Sequence, residues 1–223
     1  MKIIVIDSGL GGKDFMKKLR GYKCEFVKPH NSVVTGNDKK IYVRDNIMKL
    51  LLSYSHTKIH SVIIACHSIS SCILDILIEN NFRINNIPIY EPIIPMCSYI
   101  IQITQKTYKD KNILVLSTPL TRRIGWHYRL LKSKRREIKY LTFPELATEL
   151  ELGRSYNKSL DRLQRQKEFI EKCDCVVLGC THYNTIKDVI SKELRIKYNF
   201  KGVVLDSNEI LANFFVLKKE QNL

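Results

Sequence analysis

Two cysteine segments of the chain combine residue types that can transfer protons. One reads Ala-Cys-His-Ser at 65–68, and the other reads Gly-Cys-Thr-His at 179–182. In each segment an apolar run ends just before the cysteine, and a helix is predicted to begin just after it. Because the N-terminus of a helix lowers the pKa of a nearby thiol, we expect Cys66 and Cys180 to be reactive.

The two cysteine segments also resemble each other. Each consists of an apolar strand, a small residue, a cysteine and polar side chains. This internal similarity predicts two related lobes, with one cysteine from each lobe facing a shared cleft. A thiolate and a thiol placed in this way could act as a general base and a general acid. A packing role in the interior is the better interpretation for the other five cysteines, Cys24, Cys72, Cys97, Cys173 and Cys175.

Two other kinds of cysteine chemistry compete with this interpretation. Cys173, Cys175, Cys180 and His182 could together form a zinc site, although the Cys-x-Cys spacing is shorter than is usual in structural zinc sites. Alternatively, a single cysteine could act as a nucleophile, with His182 or His67 as its base. That alternative leaves the second thiol without a role.

Apolar runs alternate with helix-like segments along the whole chain. Each run is followed by a polar turn and then by a predicted helix, as expected for strands that are buried on both faces of a parallel sheet. The pattern therefore predicts an α/β protein with doubly wound, mainly parallel sheets. In such sheets ligands bind at the carboxyl ends of the strands. The predicted strands cover 2–6, 61–65, 87–90, 112–116, 175–178 and 202–205.

The composition is typical of a folded protein with free thiols. The 223 residues are 44% hydrophobic and 26% charged, which is average for a soluble domain and sufficient for a core without disulfides or metals. No apolar run reaches the roughly 18 residues of a membrane span, and the N-terminus does not read as a signal peptide. The odd number of cysteines, seven, also argues against a disulfide framework. We therefore expect a cytoplasmic protein without a membrane partner.

The net charge of +15 is the main compositional anomaly. A basic surface attracts nucleic acids and small anions alike. The densest basic segment is 132–139, next to Trp-His-Tyr-Arg at 126–129. Because lysine and arginine are spread along the whole chain, we interpret them as solvated surface residues and do not expect a nucleic-acid partner.

Three motifs resemble those of the glutamate racemases, in the Asp/Glu racemase family. Ile-Asp-Ser-Gly-Leu-Gly-Gly at 6–12 is similar to the family's opening motif, and 65–68 is similar to its first cysteine motif. Leu-Gly-Cys-Thr-His-Tyr at 178–183 matches its second cysteine motif closely. The resemblance covers nearly the whole chain, because weaker similarities follow in the same order at 90–92, 117–121, 151–153 and 205–207.

The resemblance implies a cofactor-independent amino-acid racemase, an isomerase, with an active site between two α/β lobes. The expected lobes are 1–92, to which 203–223 returns, and 93–202. Inversion at an α-carbon requires a base on one face and an acid on the other. By resemblance, Cys66 is the base for the D-enantiomer and Cys180 is the base for the L-enantiomer. The expected substrate is glutamate, which would place the protein in D-glutamate supply for a peptidoglycan-type cell wall.

The resemblance also assigns roles to further residues. Asp7 matches the family's carboxylate beside the first cysteine, His182 matches the imidazole beside the second, and Glu151 matches a further carboxylate. The expected substrate-binding residues are Ser8, His67, Ser68, Thr118, Thr121 and Thr181. The family pattern includes no metal or cofactor, and its members are often homodimers, so the resemblance allows for a homodimer.

Several positions depart from the family's pattern. His67 and Ser68 replace the Asn and Thr of the first cysteine motif, and the family's Pro-Tyr-Gly segment is not evident near 35–37. An imidazole is bulkier than an amide and titrates near neutral pH. Two alternatives therefore stay open: a racemase of aspartate or another amino acid, and a binding protein of the same fold that has lost catalysis.

Overall fold

A computed structural model describes most of the chain as two sheets that are covered by helices. The described residues are 2–29, 33–34, 36, 38–55, 57–107, 112–133 and 136–221, with 104–107 described by their backbone alone. The predicted fold class, α/β with two mainly parallel sheets, is confirmed.

The strands in the described residues divide between a sheet of five and a sheet of four. The first sheet has the order β2-β1-β3-β5-β4, with β4 antiparallel to β5, and the second has the order β7-β6-β8-β9 and is wholly parallel. The strands are β1 Lys2–Ile6, β2 Lys23–Val27, β3 Ile59–Ile64, β4 Arg83–Ile84, β5 Ile87–Tyr90, β6 Ile113–Ser117, β7 Ile138–Thr142, β8 Cys175–Gly179 and β9 Val203–Asp206.

Helices follow most strands and cover both faces of each sheet. They are α1 Gly11–Met16, α2 Lys40–Ser53, α3 His67–Glu79, α4 Ile93–Thr107, α5 Pro119–Ile124, α6 Trp126–Leu131, α7 Leu146–Glu151, α8 Asn157–Leu160, α9 Lys167–Lys172, α10 Thr181–Thr185, α11 Lys187–Tyr198 and α12 Ser207–Glu220, with a 3-10 helix Asp161–Gln166 between α8 and α9. None of the helices in the described part of the chain combines the length and apolar character that a membrane crossing requires.

The central strands explain why the sequence shows continuous apolar runs. In β1, Ile4 and Ile6 pack with the cluster beneath α2 and α3, whereas Ile3 and Val5 pack on the opposite face with Phe15 and other residues. Successive side chains of a strand point to opposite faces, so a strand that is covered on both faces must be apolar throughout. The same holds for β6 and β8, whose residues are all buried.

Three strands were not predicted from the sequence. β2 lies at an edge, and its alternating exposure allows Lys23 and Glu25 to occupy it. β7 is the edge of the second sheet, and β4 consists of two residues. The partly exposed residues of β2 and β7 and the shortness of β4 leave no continuous apolar run, which is the signal that revealed the other six.

The position of β9 corrects the expected return of 203–223 to the first lobe. β9 pairs in parallel with β8, with Leu205 beside Val177, and so belongs to the second sheet. Only the following helix, α12, packs on the first sheet, where Phe215 joins the cluster of Ile3 and Val5. An apolar run indicates that a strand is buried but does not indicate which sheet it joins.

Parallel pairing gathers the polar turns at one edge of each sheet. The turn after β1 contains Asp7 and Ser8, and the residue that follows β3 by two positions is Cys66. In the second sheet, Thr118 directly follows β6 and Cys180 directly follows β8. These two edges supply the side chains of the candidate site.

Candidate active site

Cys66 lies at the junction between β3 and α3. Its backbone is extended, with φ −72° and ψ 119°, and α3 begins at the next residue. The Sγ atom is 3.4 Å from the Oγ atom of Ser8, and the Cys66 side chain is 5% exposed. Because β1 and β3 are neighbours in the sheet, two residues that are distant in sequence meet at its edge.

Cys180 occupies the equivalent junction in the second sheet, between β8 and α10. Its Sγ atom is 3.9 Å from Nδ1 of His182, and Nε2 of His182 is 2.8 Å from Oε2 of Glu151. An ionised carboxylate can only accept hydrogen bonds, so Nε2 carries a hydrogen, and Nδ1 is the ring nitrogen that faces the thiol. The arrangement gives the Cys180 proton a route to the imidazole.

Glu151 is held in its ionised form. Partial burial opposes its charge, but hydrogen bonds from His182, from the Leu10 N–H and from Lys28 outweigh burial and lower the pKa of the carboxyl to about 2. The Leu10 nitrogen is 2.6 Å from Oε2, and Lys28 Nζ is 2.9 Å from Oε1. The carboxylate therefore orients His182 at neutral pH.

Asp7 influences both thiols electrostatically. Its charge raises the pKa of Cys66 and also that of Cys180. The side chain is fully buried, and its Oδ1 atom accepts the N–H of Gly9 at 2.9 Å. Burial raises the pKa of Asp7 to about 6, although the charge of His182 acts in the opposite direction.

The glycines of the opening motif allow the first turn to approach the second lobe closely. A Cβ atom at Gly9 would lie 2.6 Å from Nε2 of His182 and 2.7 Å from Oε2 of Glu151. A Cβ atom at Gly11 would lie 2.7 Å from Oγ1 of Thr181. Both distances are too short for a real side chain, so glycine is required for contact between the two halves of the site.

Three hydroxyl groups form a further contact between the ends of the first and second sheets. Oγ of Ser68 lies 2.7 Å from Oγ1 of Thr118 and 3.3 Å from Oγ1 of Thr121. Thr118 also caps α5 by accepting the N–H of Thr121 at 3.3 Å. All three side chains are buried. Hydroxyl groups both donate and accept hydrogen bonds, so this cluster can bind a carboxylate or an ammonium group.

The expectation of lowered thiol pKa values is wrong for this structure. Burial raises the pKa of Cys66 to about 12 and raises the pKa of Cys180 as well. Hydrogen bonds at the helix starts act in the lowering direction but are smaller. Both thiols are therefore neutral here, and formation of a thiolate requires a positive charge beside it.

His67 is buried, but it pairs with a residue that was not predicted. Its ring stacks on that of His127 in α6, with the centroids 5.6 Å apart. His127 gave no separate signal in the sequence, because it lies among aromatic and basic residues at 126–129. Lys28, which pairs with Glu151, was also missed, since a single lysine in a lysine-rich chain carries no signal.

The zinc alternative has no geometric support. The Cys173 thiol donates to the backbone carbonyls of Cys175 at 2.9 Å and of Asn112 at 3.2 Å. Cys173 and Cys180 lie at opposite ends of β8. Among the described residues, no three His, Cys, Asp or Glu side chains are grouped to hold a metal ion.

The basic segment 132–139 lies only partly within the described residues, because Lys134 and Arg135 lie outside them. Lys132 stacks on the ring of Tyr128 at 5.6 Å, and Lys139 stacks on Phe169 at 4.5 Å. These two lysines therefore lie against aromatic rings, and the interpretation of the segment as a solvated surface stays a prediction. Thr35 and Asn37, where the Pro-Tyr-Gly segment is missing, also lie outside the described residues.

Comparison with known proteins supports the resemblance seen in the motifs. The curated glutamate racemase of Fusobacterium nucleatum is 28% identical over 213 residues, which are 88% of this chain and 75% of the relative. A crystal structure of glutamate racemase from Francisella tularensis in complex with D-glutamate has a TM-score of 0.79 at 19% identity, over 99% of this chain and 81% of that one. The chain has the fold of the glutamate racemases. The predicted resemblance to these enzymes is confirmed.

The fold by itself does not select a substrate. An allantoin racemase from Klebsiella pneumoniae covers 100% of this chain with a TM-score of 0.65 and 16% identity. No family model matches the chain. The identity of the substrate therefore depends on the residues that line the site.

Every predicted site residue lies within the described residues and is largely buried. Asp7, Ser8 and Cys66 group on the first sheet, and Cys180, His182 and Glu151 group on the second. Each of the remaining predicted positions is at most 2% exposed. These positions are His67, Ser68, Thr118, Thr121 and Thr181. Their grouping is observed, whereas their catalytic and binding roles are proposals.

Proposed function

We propose that this chain interconverts L- and D-glutamate without a cofactor, with Cys66 and Cys180 as the two acid–base groups. One observation carries the proposal. The turn 7–9 reaches both halves of the site, with Ser8 beside the Cys66 thiol and Gly9 against the imidazole that faces Cys180. A substrate held at this turn would have one thiol on each side of its α-carbon.

The proposed reaction removes one proton from the α-carbon and delivers another proton to its opposite face. In the L-to-D direction, the Cys180 thiolate removes the α-proton, and the electron pair of the C–H bond stays on carbon as a carbanion. The Cys66 thiol then delivers its proton to the opposite face. Cys180 is left as a thiol and Cys66 as a thiolate, which is the state from which the D-to-L direction starts. The step balances without an oxidant or a reductant.

The half of the site that contains Cys180, His182 and Glu151 supports thiolate formation at Cys180. His182 Nδ1 faces the thiol at 3.9 Å and can take its proton. The resulting imidazolium would be stabilised by Glu151, which stays ionised because its pKa is about 2. In this role Glu151 acts through His182 and positions it.

The half of the site that contains Cys66, Asp7 and Ser8 has a carboxylate near its thiol, where the half that contains Cys180 has an imidazole. Cys66 contacts Ser8, and the Asp7 carboxylate raises the pKa of the thiol. We infer that the substrate ammonium group, bound between Asp7 and Cys66, compensates this negative charge and lets the thiolate form. Thiolate formation at Cys66 would then depend on substrate binding, which protects a buried thiol from other reactions.

Glutamate is the proposed substrate because the curated relatives are glutamate racemases. The hydroxyl cluster of Ser68, Thr118 and Thr121 would bind its α-carboxylate. Aspartate or another amino acid is the alternative, because His67 departs from the family's Asn. We further propose that the protein is cytoplasmic and supplies D-glutamate for a peptidoglycan-type wall, in keeping with its free cysteines.

Proton exchange at the α-carbon tests the proposal directly. The purified protein is incubated with L-glutamate, and separately with L-aspartate, in heavy water, and the α-proton is followed by NMR together with chiral analysis. We expect loss of the α-proton signal and appearance of the D-enantiomer with glutamate. Cys66→Ser and Cys180→Ser should each reduce inversion by roughly 10² to 10⁴-fold.

Cys173→Ser is the matched control, because Cys173 is a buried thiol at the end of β8 opposite to Cys180. It should invert glutamate at the wild-type rate. Inversion of aspartate but not glutamate would move the substrate and keep the two-thiol chemistry. Failure of the reduced wild-type protein to exchange either α-proton would refute the racemase function.

A further inference from the structure

His67 and His127 form a buried imidazole pair beside the first cysteine. His67 begins α3 directly after Cys66, and His127 lies in α6. The ring centroids are 5.6 Å apart, and the ring planes differ by 13°. The two side chains are 1% and 0% exposed. Two histidines are thus stacked in the interior next to a proposed catalytic thiol.

The four ring nitrogens of this pair have no hydrogen-bond partner within the described residues. Each neutral imidazole carries one N–H donor and one acceptor nitrogen, both in the plane of the ring. Stacked rings cannot satisfy each other, because their nitrogens point sideways and not at the facing ring. Buried polar side chains nearly always have partners in folded proteins. The pair therefore presents donors and acceptors that are suited to a ligand.

The surroundings of the pair leave these nitrogens available. The ring of Tyr140 packs edge-on against His127, with the centroids 6.1 Å apart. The Tyr140 hydroxyl oxygen accepts the N–H of Tyr128 at 3.1 Å. Tyr140 on β7 is thus the titratable side chain that contacts His127, and Tyr140 in turn interacts with Cys97 on α4 and with Arg129 on α6. Cys66 directly precedes His67 in the chain.

The pair is tied to the first thiol by its place in the fold. His67 is the first residue of α3 and directly follows Cys66 at the end of the strand. A ligand whose α-carbon lies beside the Cys66 thiol would therefore have its remaining atoms within reach of the pair. For an amino acid, those atoms include the side chain.

We propose, on the basis of the function proposed above, that His67 and His127 bind the side-chain carboxylate of the substrate and together take up one proton from solvent as it binds. The pair would then be the determinant for acidic amino acids. One ring, as an imidazolium, neutralises the carboxylate, and the second ring stays neutral and donates a hydrogen bond to the same carboxylate. An amino acid with an uncharged side chain would bind without proton uptake.

The pH dependence follows from the state of the pair before binding. Burial lowers the pKa of His127 to about 4, and burial together with His127 lowers that of His67, so both rings are neutral at pH 7. A carboxylate beside an imidazole raises its pKa. Between the pKa of the free pair and that of the complex, binding takes up one proton. The dissociation constant for glutamate should therefore rise about tenfold for each unit of increasing pH in that range.

Isothermal titration calorimetry in two buffers of different ionisation enthalpy measures the proton uptake. Racemic glutamate is the titrant, because turnover of a racemic mixture adds no net heat, and racemic glutamine is the uncharged probe. The variants are His67→Asn and His127→Phe. His60→Asn is the matched control, since His60 is a partly exposed histidine in β3.

We expect about one proton taken up per glutamate in the wild type and in His60→Asn, and none with glutamine. His67→Asn and His127→Phe should lose the uptake and bind glutamate roughly tenfold or more weakly, as expected for loss of a charge-assisted hydrogen bond. Equal uptake with glutamine would overturn the proposal. So would unchanged binding in His127→Phe together with a higher melting temperature, since that result indicates a packing role alone.

The two proposals can fail separately. Racemisation of glutamate without proton uptake overturns the role of the pair and leaves the two-thiol reaction in place. Proton-coupled glutamate binding without exchange of the α-proton supports the pair and overturns the racemase function. Absence of glutamate binding by the wild type overturns both.

Discussion

Replacing Gly9 by alanine tests whether the first turn must touch the second half of the site. The added Cβ atom would lie 2.4 Å from Cε1 of His182 and 2.7 Å from Oε2 of Glu151. Ordinary contacts of a Cβ atom begin at 3.4 Å, so the imidazole must move by about 1.0 Å and the carboxylate by about 0.7 Å. The hydrogen bond between them would be disturbed, and with it the position of Nδ1 beside Cys180.

The expected cost follows from the size of this displacement. A misplacement on the order of 1 Å at a catalytic group costs roughly 100-fold in rate, which corresponds to about 2.7 kcal/mol of activation free energy. The effect should fall on kcat, because the displaced groups serve proton transfer. The contacts among the hydroxyls of Ser68, Thr118 and Thr121 do not involve Gly9 or the groups that it displaces, so KM should stay within a few-fold of the wild type.

Racemisation of L-glutamate, followed by circular dichroism across a range of concentrations, separates kcat from KM for Gly9→Ala. Gly21→Ala is the control. Gly21 has φ +87°, and no atom of the described residues lies within 4 Å of the position that an alanine Cβ would take, so alanine there strains the backbone without a clash. Circular dichroism in the far ultraviolet shows whether both variants fold. A folded Gly9→Ala with kcat within threefold of the wild type would refute the role assigned to this contact.

Three further substitutions test individual groups. Asp7→Asn should slow racemisation but stabilise the fold, because burial raises the pKa of Asp7 from 3.8 to about 6 on folding, which corresponds to about 3 kcal/mol. Since the folded state binds this proton more tightly, the stabilisation should be absent below pH 3.8 and complete above pH 6 in thermal unfolding; equal stabilisation at both pH values would contradict it. Glu151→Gln should lower kcat roughly tenfold to 100-fold, because an imidazolium at His182 loses its anionic partner, and a pH–rate profile unchanged from wild type would argue against that role. Thr118→Val removes a helix cap and a partner of Ser68, so we expect about 1 kcal/mol lower stability and a higher KM; an unchanged KM would exclude the hydroxyl cluster from substrate binding.

The raised thiol pKa values bear on how the reaction begins. Burial holds Cys66 and Cys180 neutral, and each thiol has a different nearby group to change this. Cys180 faces His182, whereas Cys66 faces Ser8 near the Asp7 carboxylate. The proposed dependence of the Cys66 thiolate on the substrate ammonium follows from this asymmetry. The proposed dependence predicts that, without substrate, a thiol-alkylating reagent modifies Cys66 more slowly than it modifies an exposed thiol. Equal alkylation rates of the two thiols would contradict the prediction.

The sequence alone indicated the central architecture. Continuous apolar runs such as β1, β6 and β8 are required of strands covered on both faces, so they were visible without any structure. Their polar ends located Asp7, Cys66 and Cys180, because the carboxyl ends of parallel strands share one edge. The edge strands β2 and β7 escaped prediction since partial exposure allows charged residues within them.

Only the tertiary structure decided how the site groups act on one another. The helix starts at Cys66 and Cys180 suggested lowered pKa values, but the depth of burial reversed the direction, and burial is not encoded in a local motif. The stacking of His67 on His127 depends on how α3 packs against α6, and the two residues are far apart in sequence. The sheet that β9 joins likewise follows from packing in three dimensions. Residue types and spacing determined which groups could do chemistry, whereas long-range packing determined their neighbours, their charge states and their orientation.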